Sequence, residues 1–211
     1  MTISTEDLLK SILDSFDRID YVRAEDIPNI DLYMDQVTTF MDERMRHTTR
    51  KPDEDKILTK TMINNYAKND LLPPPVKKKY SKEHMLMLIF IYYFKGILSI
   101  GDIQKLLSPL SEQYFDKKSG IRLEDIYEEI FSLEKQQVEY LKEEVTREFK
   151  KAEELFVGEK DADRAFLQRF SFICMLSFDV YVKKLLIEKL IDEMPDLQGK
   201  EKLKEKAEKK N

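Results

Sequence analysis

The sequence is poor in the residues from which most active sites are assembled: one cysteine, two histidines, no tryptophan and five glycines among 211 residues. The single cysteine, Cys174, excludes a disulfide within the chain. It falls in an apolar helical run (Phe172, Ile173, Met175, Leu176) that predicts a buried, inert thiol. His47 and His84 have no cysteine and no H-x-x-x-H spacing with which to make a metal site. His84, in the first turn of a helix, reads as a surface or capping residue. There is no glycine-rich phosphate loop and no G-x-S-x-G elbow. Paired acids (Glu128/Glu129, Glu143/Glu144, Glu153/Glu154) are adjacent in sequence, so each pair splits across helix faces and reads as solvated. No constellation supports catalysis, a metal or a cofactor, and the expectation is a protein that is not an enzyme. The longest apolar run, Met85 to Phe94, is far short of the roughly 20 residues that cross a bilayer. Residues 1–20 mix charge with apolar residues and show no signal pattern. A cytoplasmic protein with no membrane partner is expected.

What the chain has instead is charge and helix-formers: 36% charged and 42% hydrophobic residues. Abundant Lys, Glu, Leu and Met with few turn residues predict an all-α, mainly helical protein with enough apolar mass for a core. The net charge of −5 conceals an asymmetry. Between Arg44 and Lys82, eleven basic residues face four acids (Asp53, Glu54, Asp55, Asp70), whereas 124–159 is acidic. Such segregation is the electrostatic footprint of a polyanion-binding surface.

Apolar spacing predicts a first helix over 4–20, with a Ser4/Thr5 cap and Leu8, Leu9, Ile12, Leu13 and Phe16 on one face. A second is predicted from Asp31 to Met45, with Leu32, Val37, Phe40 and Met41 inward. Residues 46–57 read as a loop or arm. Thr59 is placed to cap a third helix with Met62, Ile63 and Tyr66 on one face, closed by Leu71-Leu72 and stopped by Pro73-Pro74-Pro75. Ser81 caps an apolar fourth helix. Ser99 with Asp102 opens a fifth that Ser108-Pro109 is expected to end. After a linker with Lys117, Lys118 and Gly120, one long helix is expected from Leu123 to Phe156, broken by Gly158. A last apolar helix follows over 161–193, and then a charged tail. The expected division is an N-terminal helix (1–27) packing on the core, a domain over 28–112, a C-terminal helical domain over 118–196, and a tail over 197–211.

The stretch LTKTMINNYAKNDLLPPPVKKKYSKEH (58–84) places the densest basic run directly after a capped helix and a proline triplet. A linker, a solvated charge cluster and a surface for an anionic polymer all fit a lysine triplet. A capped helix with a basic connection also fits a helix-turn-helix, whose second helix enters the major groove while flanking basic groups hold phosphates.

TKTMINNYAKNDLLPP (59–74) resembles the second helix and exit of the MerR-type winged helix-turn-helix. Tyr66, Leu71, Leu72, Pro73 and Pro74 fall in register, a basic segment Lys77-Lys78-Lys79 precedes Tyr80-Ser81, and Gly96 leads to Ser99-Ile100-Gly101-Asp102-Ile103. The similarity covers about 31–107. The chain resembles more closely a bacterial domain-of-unknown-function family with a MerR-like fold. That resemblance implies a bacterial DNA-binding regulator. Asn64 and Asn65 stand where MerR proteins commonly carry arginine and the first of paired tyrosines, Asp70 replaces the usual glycine, and the wing is only Val76 to Lys79.

The expected function is therefore a DNA-binding transcriptional regulator of duplex DNA. Its candidate contacts are Lys60, Thr61, Asn64, Asn65, Tyr66 and Lys68 on the third helix, Lys77, Lys78, Lys79 and Tyr80 in the wing, and Arg46 and Arg50 in the arm. Asparagine is able to pair bidentately with adenine. The alternative is a helical protein-interaction module that keeps this fold without binding DNA. The C-terminal helices fit a homodimer interface, a small-molecule pocket, or packing within the chain.

Overall fold

The structure, a computed structural model, describes residues 5–16, 21–116 and 120–194. Its elements are α1 (Thr5–Phe16), β1 (Leu32–Tyr33), α2 (Met34–Met45), α3 (Lys60–Lys68), β2 (Lys79–Tyr80), α4 (Lys82–Phe94), α5 (Ile100–Tyr114), α6 (Leu123–Ser132), α7 (Glu134–Glu153) and α8 (Asp161–Glu193). Short 3-10 turns lie at Ala24–Asp26 and Arg46–Thr48. The fold is mainly α-helical, and β1 and β2 pair as one antiparallel ribbon with Leu32 opposite Tyr80 and Tyr33 opposite Lys79. Ser4, residues 17–20, Lys117-Lys118 and the tail over 197–211 lie outside the described residues. Among the described residues, no helix is long and apolar enough to cross a membrane.

The chain divides into two compact units, one of Val22–Glu128 with Leu186–Asn211, the other of Met1–Tyr21 with Glu129–Leu185. In the first, α4 is the centre. The Ser81 N–H donates to His84 Nδ1 at 3.0 Å and starts the helix, and every residue from Met85 to Ile91 is buried. A helix apolar on all sides has to be surrounded. Val37, Met41 and Met45 of α2, Ile63 of α3, Ile103 and Leu107 of α5 and Tyr127 of α6 supply further core. Each such burial is worth about 1.5–3 kcal/mol. The Tyr127 hydroxyl donates to the Val22 carbonyl at 2.6 Å, and its ring meets Phe90 edge-on at 5.5 Å. Burial raises the Tyr127 pKa well above its ordinary value. Lys82 Nζ bonds Glu124 at 2.7 Å. The start of α6 thus belongs to this unit, beyond the boundary expected near 112–118.

In the second unit, Val145, Phe149, Ala152 and Phe172 form a small core. Leu8, Leu9, Ile12 and Phe16 of α1 and Leu176 of α8 pack against it, with Phe149 and Phe172 edge-to-face at 5.2 Å. The stripe read on α1 covers α7 and α8, so this helix joins the second unit and not the 28–112 region. The α8 side chain of Gln168 donates to the carbonyls of Glu153 and Leu155 and closes the end of α7.

The structure differs from the sequence reading at five points. The second helix starts at Met34, because Leu32 and Tyr33 pair with β2. Pro109 lies inside α5, which runs on to Tyr114. Ser108 Oγ donates back to the Gln104 carbonyl, and the part-buried positions 110 and 114 continue the stripe of Ile103 and Leu107, so packing carries the helix past the proline. The single helix expected over 123–156 is two, interrupted at Leu133, where Ser132 Oγ bonds the Glu129 carbonyl and competes with the backbone ladder. Leaving α7, it is Phe156 that adopts a left-handed conformation, at φ 57°. Cys174 is exposed: it is two residues from both Phe172 and Leu176, which turns it away from the packed side of α8.

Candidate functional site

Thr59 Oγ1 accepts from the Met62 N–H at 3.2 Å and fixes the start of α3. Ile63 and Tyr66 are buried, which turns Lys60, Thr61, Asn64, Asn65 and Lys68 outward, and all five are exposed. No acid stands between Lys60 and Lys68. Among the described residues, the side chains of Asn64, Asn65 and Lys68 have no partner. Two amides and an ammonium group are thus presented on one helical face.

The helix ends as its sequence requires. The Leu71 N–H bonds the Tyr66 carbonyl at 2.9 Å across Asp70, which adopts φ 54°. This is the left-handed C-terminal turn in which glycine is commonest, and here aspartate fills it. Leu71 and Leu72 are buried, and the prolines lead into a hairpin.

Val76 and Lys79 exchange both backbone hydrogen bonds, at 3.1 and 3.0 Å. Lys77 and Lys78 form the two-residue tip with φ 51° and 65°. Positive φ at both positions is the type I′ turn, which strongly prefers Asn-Gly. A lysine in that conformation costs on the order of 1 kcal/mol. Both tip lysines are exposed and have no partner among the described residues.

Tyr33 ties helix and hairpin together. It pairs with Lys79 across the ribbon, the Lys79 ammonium lies 5.2 Å from its ring centre, and the ring is 54% exposed. Two residues on, Asp35 forms an ion pair with Lys60 at the start of α3. The beginning of α2, the beginning of α3 and the base of the hairpin therefore meet, giving one surface that carries Tyr33, Lys60 and Lys79. Sequence reasoning missed Tyr33. Its signal was an aromatic residue next to a helix start, facing outward beside the inward Leu32.

The structure does not bring every expected residue to this surface. Tyr66 and Tyr80 are 8% and 3% exposed, and desolvation raises both phenol pKa values. Their rings build the core that carries α3 and the hairpin. Arg46 follows the far end of α2, roughly 16 Å of helix from Asp35. Its guanidinium is held by Asp42 and the Pro52 carbonyl, and the Asp42 hydrogen bond raises its pKa. Arg50 is exposed in the same distant segment, where Thr48 bonds the Tyr92 hydroxyl and Lys95 Nζ bonds the Ile57 carbonyl.

His84 lies under the hairpin, 3% exposed, with its ring edge-on to Tyr80 at 5.4 Å and Phe115 at 4.8 Å. Nδ1 accepts the Ser81 N–H, and Nε2 has no hydrogen-bond partner among the described residues. Burial lowers its pKa, opposed in smaller measure by the Pro74 carbonyl, Asp116, Glu83 and the Pro73 carbonyl. It is a capping residue, as one reading of the sequence had it, but a buried one.

The molecule defined so far is a mainly helical protein whose 22–128 unit exposes an uncommitted polar helix beside a lysine-tipped hairpin. The chain belongs to the family described as Domain of unknown function (DUF1836), whose model matches residues 22–130. The matched span coincides closely with the Val22–Glu128 segment of that unit. Comparison with curated proteins and with solved structures gave no match.

Proposed function

We propose that the 22–128 unit reads duplex DNA as a MerR-like winged helix-turn-helix, and that the protein is a bacterial transcriptional regulator. In this reading α3 enters the major groove. Asn64 and Asn65 address base edges, with Thr61 and Lys68 beside them. Lys77 and Lys78 at the hairpin tip, with Lys79 and Tyr33 at its base, contact phosphates and set the register, while the Lys60 charge at the start of α3 is held by Asp35. Arg46, Tyr66 and Tyr80 have structural roles, and Arg50 lies apart from the contact surface.

The observation that carries the reading is the combination of uncommitted amides on α3 with two lysines held in a left-handed turn. A solvated surface loop gains nothing from lysine there, since Asn-Gly makes the same turn without strain. Strained positions cluster at functional sites, and a charge at each tip position is what a phosphate contact requires.

Selection of bound sites from random duplex, followed by anisotropy titration of the recovered sequence, tests this. Replacing Asn64 and Asn65 with alanine is expected to cost about 1–3 kcal/mol of discrimination per lost bidentate contact, while leaving binding to random duplex nearly unchanged. Absence of any duplex binding at tens of millimolar salt, where electrostatic attraction is strongest, contradicts the reading. It favours instead a helical protein-interaction module on the same fold.

A further inference from the structure

The first part of α8 uses only one side for packing. Phe172 and Leu176 face the small core of Val145, Phe149 and Ala152. A second stripe runs along the other side at spacings of 4, 4, 4, 3 and 4: Phe166, Phe170, Cys174, Phe178, Tyr181 and Leu185. This is the spacing of one continuous helix face. Its five large members are 67%, 54%, 68%, 58% and 48% exposed, and Cys174 is exposed too. Phe166 and Phe170 stack on each other at 6.2 Å. Between Phe166 and Val182 the only charged residues are Arg169 and Asp179, and neither lies on the stripe.

We propose that this stripe is where two copies of the chain associate, as an isologous pair about a two-fold axis. Three observations select a second copy as occupant. First, the area fits: five half-exposed large side chains with Cys174 and the flanking Ile173 present on the order of 700 Å², close to the roughly 800 Å² that each partner of a stable complex buries. Second, the stripe carries no charge, so it offers a different protein no electrostatic pattern to recognise, whereas an apolar ridge complements its own copy. Third, the unit's own buried core comprises only four residues among the described ones, and so small a core gains stability by burying further apolar surface against a neighbour. Cys174 stands near the centre of the stripe, both along the helix and around it. In an isologous pair, the central residue lies next to the axis and meets its own counterpart. The inference does not depend on DNA binding, although a dimer would read a two-fold-related pair of half-sites.

Sedimentation velocity on the full chain, without DNA, tests it. The expected species from about 1 to 50 μM has twice the 25.1 kDa chain mass. Phe170→Glu with Tyr181→Glu is expected to give a monomer with unchanged far-UV circular dichroism. Copper-phenanthroline, taking two electrons and two protons from a pair of Cys174 thiols, is expected to produce a disulfide-linked dimer that Cys174→Ala abolishes. A wild-type monomer at about 50 μM overturns the proposal, as does a dimer that survives the folded double variant. Should the double variant lose its helicity, the cross-link decides, and failure of a wild-type dimer to cross-link overturns the isologous pairing.

Discussion

Lys77 and Lys78 sit where backbone geometry asks for asparagine and glycine, so the residues that best fit the turn are not those the sequence carries. Replacing Lys77 with Asn and Lys78 with Gly is expected to raise stability by about 1 kcal/mol, measured as the shift in a urea midpoint, because both left-handed positions are relieved. His84 makes a second prediction at this scale. Its neutral ring accepts the Ser81 N–H, and burial holds its pKa below the ordinary value of 6.5. The unfolded chain therefore binds a proton that the folded chain resists, so His84 contributes stability that is present above about pH 6.5 and lost as pH falls through the lower folded value. His84→Gln keeps a neutral capping group and removes the titration. The wild type is expected to lose more stability than this variant between pH 7.5 and 5.5, in paired urea titrations.

At the scale of the element, α3 depends on its cap. Thr59→Ala removes the bond to Met62 and is expected to cost about 1 kcal/mol. It should weaken duplex binding as well, through fraying of the turn that carries Lys60 and Thr61, which anisotropy would report. The elements that were legible in the sequence are the ones governed by local chemistry. Thr59, Ser81 and Ser99 each stand at the helix start they predicted, because a cap is set by two or three neighbouring residues. The outward face of α3 was legible for the same reason: Ile63 and Tyr66 fix which side is inside. What long-range packing decides was not legible. Pro109 signals an end, but the part-buried positions beyond it keep the helix going. Nothing among Phe131, Ser132 and Leu133 advertises a break. The apolar run around Cys174 did not reveal that one side of α8 has no partner within its unit. Tyr66 and Tyr80 looked the same in sequence whether they served the core or a ligand, and only burial separates them.

At the scale of the whole molecule, an acidic chain is expected to approach DNA through one confined surface. The seven-charge excess between Arg44 and Lys82 is further narrowed by the fold, because Arg46 is held by Asp42 and Lys60 by Asp35. The free charges on α3 and at the hairpin tip are those of Lys68, Lys77 and Lys78. Affinity should therefore fall with salt, at a slope set by a few phosphate contacts. The most direct measurement is the dependence of duplex affinity on salt for the wild type and for the Lys77→Asn, Lys78→Gly variant, whose turn is at least as stable. A loss of affinity on every sequence, with the slope of log K against log salt reduced by roughly 2, is the predicted result. Unchanged affinity and slope in that folded variant would contradict the account.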